Sequence, residues 1–125
     1  ENDEVIGKVE NLLINATNIS FDEVYDLVEK YGGVMIPAHV DKNSNSLMAN
    51  LGFIPPDAKF TTAEVKDLKK LHELRKQHPY LEKCRIISDS DAHYLEHMNE
   101  PMHELYVEER TREAVIKALK DSPTV

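Results

Sequence analysis

Two short apolar runs, each too brief for a helix and each ending in residues that can bind a metal, constrain this chain more than any other feature. Val34-Met35-Ile36-Pro37-Ala38 leads into His39, and Cys84-Arg85-Ile86-Ile87-Ser88 leads through Asp89-Ser90 to Asp91-Ala92-His93. A nearly continuous apolar run of this length marks a strand buried on both faces, an arrangement found where helices cover a parallel sheet. Helical patterns surround and separate the two runs, which makes the fold class α/β, built of parallel βαβ units.

The helical patterns have defined ends. Val5, Ile6, Val9, Leu12, Leu13 and Ala16 recur at helical spacing, so residues 4–16 read as an amphipathic helix. Ser20 and Glu23 form a capping box ahead of Val24, Leu27, Val28 and Tyr31, and Gly32-Gly33 stops this second helix. A strand over residues 34–40 follows at once. Residues 41–58 read as a loop rich in Asn, Ser and Pro, with a helical turn around Leu47-Met48-Ala49-Asn50-Leu51. Thr61 and Glu64 repeat the capping-box pattern, and Val65, Leu68, Leu71 and Leu74 predict a helix over residues 62–77, ending near His78 because Pro79 disfavours helical geometry before it. Strands are expected over residues 85–88 and 103–107, and a closing helix over residues 113–119.

In folds of this kind functional groups gather at the carboxyl ends of the parallel strands. His39 stands at one such end and Asp91 with His93 just past another, so the three are expected to converge on one face. On an extended segment Asp91 and His93 would point to the same side, about 6 to 7 Å apart. Neutral imidazoles beside carboxylates are the donors a divalent transition metal takes in a hydrolytic site, and mixed His and carboxylate ligands suit Zn, Mn or Fe. Lys42 follows close behind and is a candidate contact to a substrate phosphate. Asp89 reads either as a turn residue or as the partner that orients a ligand histidine. His72, His78 and His97 read as solvated side chains, and Cys84 as a small core residue.

The segments Gly33-Val34-Met35-Ile36-Pro37-Ala38-His39-Val40-Asp41-Lys42, Asn50-Leu51-Gly52-Phe53-Ile54-Pro55 and, above all, Ile87-Ser88-Asp89-Ser90-Asp91-Ala92-His93-Tyr94-Leu95 resemble the polymerase-and-histidinol-phosphatase (PHP) family over roughly residues 20–120. The resemblance implies the C-terminal part of a distorted seven-stranded β/α barrel that binds up to three divalent metals and hydrolyses phosphoesters. It casts His39 as the third motif's ligand and Asp91 and His93 as those of the fourth. The family's first motif, an N-terminal His-x-His, has no counterpart, since no histidine precedes His39. The resemblance therefore implies part of a metal-dependent phosphoesterase acting on a phosphorylated small molecule or nucleotide through metal-activated water, with none of the three ligands needed as general base. Alone, the chain is expected to be weakly active or inactive. The alternative is a PHP-like module without catalysis, serving as a structural or interaction domain.

Composition bounds these readings. With 125 residues and 41% hydrophobic content the chain suits one domain spanning residues 1–125. A net charge of −8 disfavours sequence-independent wrapping of nucleic acid, which draws its affinity from Lys and Arg on phosphates. No run is long enough to span a membrane, so no membrane partner is expected and the location reads as cytoplasmic. Opening at Glu1 rather than at a methionine, almost directly into a helical pattern, fits a processed product or a piece of a longer protein. Half a barrel would leave an unpaired strand edge, and such an edge is expected either to pair with a second copy or to be covered.

Overall fold

The computed structural model describes residues 3–12 and 15–121. Its centre is a pair of parallel strands, β1 (Thr62–Glu64) and β2 (Arg85–Ile87), in the register Thr62↔Arg85, Ala63↔Ile86, Glu64↔Ile87. Among the described residues four α-helices accompany them: α1 (Phe21–Lys30), α2 (Leu47–Leu51), α3 (Leu71–Gln77) and α4 (Arg112–Lys120). The crossover from β1 to β2 runs through a 3-10 turn (Leu68–Lys70), α3 and a second 3-10 turn (Pro79–Lys83), which is a βαβ unit. The mixed α/β class and the parallel unit hold. No closed barrel forms among the described residues, whose sheet has two regular strands.

β1 is the middle of a wider arrangement. The amide groups of Glu64 face away from β2, and they meet the run at residues 34–40: Glu64 N donates to Pro37 O at 3.0 Å and Val40 N donates to Glu64 O at 2.9 Å. A regular parallel partner would bracket Glu64 with residues two apart. Here the bracket spans three, so Ala38 and His39 bulge out of the pairing, and His39 takes a φ of 30°. The expected strand is thus a bulged segment beside β1 rather than a regular strand.

Burial explains where the sequence reading of Thr61 and Glu64 as a capping box went wrong. Phe60, Thr62, Ala63, Glu64 and Val65 are all at most 9% exposed. A helix buries one stripe, whereas five buried residues within six positions need neighbours on both faces, which a central strand has. The helix expected over residues 62–77 therefore shortens to α3, entered through the 3-10 turn. Its end at His78, before Pro79, is as expected.

Phe60 anchors the core, with its ring 4.8 Å from that of Tyr80 and 6.2 Å from that of Phe21. Val40, Ile54, Ala58, Val65, Leu81 and Cys84 complete it. The Tyr80 hydroxyl sits against the Ala58 and Phe60 carbonyls, 2.8 Å from the latter, and burial pushes its pKa up to about 12. α1 starts on the expected capping box, with Ser20 Oγ accepting from Glu23 N and Glu23 Oε2 accepting from Ser20 N at 2.8 Å. α2 ends on Gly52, whose φ of 75° a side chain would strain. α4 is capped by Thr111 and tied to the sheet where Thr62 Oγ1 donates to Leu119 O at 2.5 Å.

Two expected elements do not form. The described part of the helix expected over residues 4–16 has no helical structure, and Leu13 and Ile14 within it lie outside the described residues. Val5 and Ile6 are 86% and 98% exposed, so the described part of the apolar stripe is not packed among the described residues, and a helix this short draws its stability from such packing. Residues 103–107 form no strand; Tyr106 is 84% exposed, and no neighbouring strand among the described residues offers a ladder. No helix among the described residues is long and apolar enough to cross a membrane.

Candidate functional site

The carboxyl ends of β1, β2 and the bulged segment lie side by side, and the residues leaving them form one cluster: His39 to Lys42, Glu64 to Lys66 and Ser88 to Asp91. The bulge turns His39 so that its backbone N–H donates to Glu64 Oε2 at 3.2 Å. The His39 imidazole lies within electrostatic reach of both Glu64 and Asp91. Its Nδ1 is buried without a hydrogen-bond partner, and so is Glu64 Oε1. Buried polar atoms without partners are uncommon and costly.

Glu64 is the residue that sequence reasoning missed, because Thr61 and Glu64 imitate a helix cap. The available signal was local: Glu64 ends Phe60-Thr61-Thr62-Ala63, a run rich in strand formers, and is followed by Val65. Burial pushes its pKa above the usual carboxylate range, the His39 N–H opposes this, and the neighbouring Asp89 carboxylate raises it further, by repulsion and by the hydrogen bond the two can share once Glu64 is protonated.

Asp91 sits across the cluster, also in the left-handed region with a φ of 48°. Of the four non-glycine residues with positive φ among those described, two are His39 and Asp91, and local strain of this kind gathers at functional sites. This conformation replaces the extended segment expected there. Asp91 pairs with Lys42 through Oδ2, and the ammonium of Lys66 stands 3.9 Å from the same atom. The hydrogen bond from Lys42 holds the Asp91 carboxyl below the usual range. His93 reaches the cluster only at its rim: its Nε2 is 3.8 Å from Asp91 Oδ1, and its side chain is 78% exposed.

Asp41 joins the loops. Its two oxygens accept from Lys66 N at 2.8 Å and Asp67 N at 3.0 Å. Partial burial acts to raise its pKa, but these N–H donors outweigh that and hold it low. Asp89, expected as a turn residue or a histidine's partner, accepts from Asp91 N at 3.4 Å and stands beside Glu64 rather than beside a histidine nitrogen.

The arrangement brings His39, Asp91 and Lys42 together from positions about fifty residues apart, and leaves His93 at the edge. Among the described residues, no three His, Cys, Asp or Glu side chains converge closely enough to form a metal-holding group. Imidazole nitrogen and carboxylate oxygen are donors that a divalent cation takes, and in this cluster His39 Nδ1 and Glu64 Oε1 are buried without partners. No family model, curated protein or solved structure matches the chain.

Proposed function

We propose that the chain is part of a divalent-metal phosphoesterase of the PHP kind, contributing strands from the C-terminal part of a distorted β/α barrel. The observation that carries this reading is the pair of unpartnered buried atoms, His39 Nδ1 on the bulged segment and Glu64 Oε1 at the end of β1. Two carboxyl groups as close as Glu64 and Asp89 are relieved either by a shared proton or by a cation. A divalent ion, Zn, Mn or Fe, would supply a water of lowered pKa and neutralise phosphoryl charge. His39 would be held by its bulge with the lone pair of its neutral imidazole available, Glu64 would add a carboxylate oxygen, and Asp91 would join by exchanging its lysine partner. His93 would complete the set by turning inward about its own side chain. Lys42 would then meet the anionic substrate, a phosphorylated small molecule or nucleotide.

Calorimetric titration of the whole chain with Mn²⁺ and with Zn²⁺ tests this. Saturable binding, weakened by about tenfold or more in His39→Ala and in Asp91→Ala, is expected. Binding that both variants leave unchanged would exclude this centre. Phosphomonoester turnover by the chain alone is expected to be weak or absent, because no counterpart of the His-x-His motif stands before His39.

The second reading, a PHP-like module without catalysis, is favoured by one observation: Lys42 already neutralises Asp91. Absence of any metal binding in the same titration would select it. Either reading leaves β2 with a free edge. Arg85 and Ile87 use their amide groups on β1, so those of Ile86 point the other way and meet no partner among the described residues. Self-association of the chain through that edge is the accompanying proposal, and light scattering over a concentration series checks it; a strictly monomeric species at every concentration would exclude it.

A further inference from the structure

Two lysines from different loops converge on one oxygen. Lys42 pairs with Asp91 Oδ2, and Lys66 Nζ lies 3.9 Å from that oxygen while donating to Ser90 O at 2.9 Å. Neither lysine is free to drift at its backbone. Ser46, 3% exposed, donates its hydroxyl to Lys42 O at 2.7 Å, and the Asp41 carboxylate grips Lys66 N at 2.8 Å. Ser88 Oγ donates to Lys66 O at 3.4 Å, so Lys66 also ties the end of β1 to the loop after β2. The two lysines are 35% and 41% exposed as side chains, open enough to meet a solute.

At this oxygen two ammonium groups meet one carboxylate, while the other carboxylates of the cluster accept backbone N–H groups: Asp41 from Lys66 and Asp67, Asp89 from Asp91, and Glu64 from His39. A phosphate monoester carries close to two negative charges at neutral pH and presents three acceptor oxygens, which matches two converging ammonium groups better than one carboxylate does.

We propose that Lys42 and Lys66 form a two-ammonium subsite for a phosphate monoester dianion, held shut by Asp91 and opened when the charge of that carboxylate is removed or taken up elsewhere. The identity of the anion rests on the phosphoesterase reading above; the pairing of the lysines does not. Asp91 acts as a stand-in for the substrate phosphate, so any partner that engages Asp91 hands both lysines to the substrate. Lys66 is the new member, two residues beyond Glu64 on the same strand exit.

The test runs without metal, so that its failure differs from failure of the metal centre. In chelator-treated, low-salt buffer, inorganic phosphate is titrated into the whole chain and followed by amide chemical shifts. Asp91→Asn is expected to bind phosphate about tenfold more tightly than the unaltered chain, the scale of two freed surface ion contacts. Adding Lys42→Gln and Lys66→Gln to Asp91→Asn is expected to abolish that gain, and each alone to remove part of it. Asn tolerates the left-handed backbone at this position; should it nonetheless fail to fold, Asp91→Gly serves, since glycine adopts a φ of 48° without strain. Equal phosphate affinity with and without the Asp91 charge would overturn the proposal, and so would a gain that survives loss of both lysines.

Discussion

Residues 54–87 and the flanking stretches 3–12 and 94–106 are both well supplied with apolar side chains, yet one region is packed and the other is bare. Phe60, Ala63, Val65, Leu81 and Cys84 are at most 2% exposed, while Ile6, Leu95 and Tyr106 are at least 84% exposed. Apolar content alone does not bury a residue. The packed region has a strand pair with a helix returning across it, so its core side chains find neighbours on two sides. Among the described residues the flanks have no second layer to pack against. The accessible surface of 10210 Å² is about half as large again as the roughly 6,800 Å² that mass scaling gives a compact monomer of 14.3 kDa. The metal-ligand candidates lie along the seam: His39 and Glu64 on the packed side, His93 on the bare one.

The comparison breaks most easily at Phe60. Phe60→Ala is expected to destabilise the chain by about 3 to 5 kcal/mol in chemical denaturation, whereas Ile6→Ser should change it by less than about 0.5 kcal/mol. A comparable loss from Ile6→Ser would mean that the N-terminal stretch packs in solution. Alkaline titration gives a second measure. Burial pushes the Cys84 thiol from its usual 9.0 to about 11. The folded state therefore holds the proton more tightly than the unfolded chain does. Stability from this group is fully present below pH 9 and is lost as pH rises toward about 11. Cys84→Ala should show a shallower alkaline decline of the denaturation midpoint, and the thiol of the unaltered chain should resist alkylation near neutral pH.

Thr62→Val probes the tie between the packed centre and α4. Losing the hydrogen bond to Leu119 O should cost about 1 to 2 kcal/mol. Amide exchange should rise in α4 while Val65 and Leu81 stay protected; uniform loss of protection would instead make α4 part of the core unit. The smallest effect is expected at Glu64. With its folded pKa raised, its stabilising contribution is complete below the unfolded value and is lost as pH rises through the folded one. Glu64→Gln should therefore be the more stable protein at neutral pH, with the difference closing as pH falls toward the ordinary glutamate range. A variant less stable at every pH would mean that the Glu64 charge is compensated in the folded state.

Much was legible in the sequence where a local rule has a local cause. The Ser20 and Glu23 cap, the stop at Gly32, the turn around Leu47 and the end of α3 before Pro79 each depend on neighbours within a few residues. So does the placement of Asp91 just past the end of β2. The errors share one origin: identical local patterns carry different structures according to what packs on them. Thr61 and Glu64 look like a helix cap, but the bulged segment on one side and β2 on the other make Thr62–Glu64 a strand.

Residue types and spacing by themselves determined the α/β class, the places of α1, α2, β2 and α4, and the presence of Asp and Lys near strand ends. Tertiary structure alone decided that Glu64 shares the site, that His39 and Asp91 take strained backbone angles, that Lys42 and Lys66 meet on one carboxylate oxygen, and that the stripe at Val5 and Ile6 stays bare. The physical reason is distance along the chain. Caps, turns and strand propensity act over a few residues, whereas burial, charge pairing and the bulge at His39 depend on segments about 25 to 50 positions apart, whose meeting is set by packing.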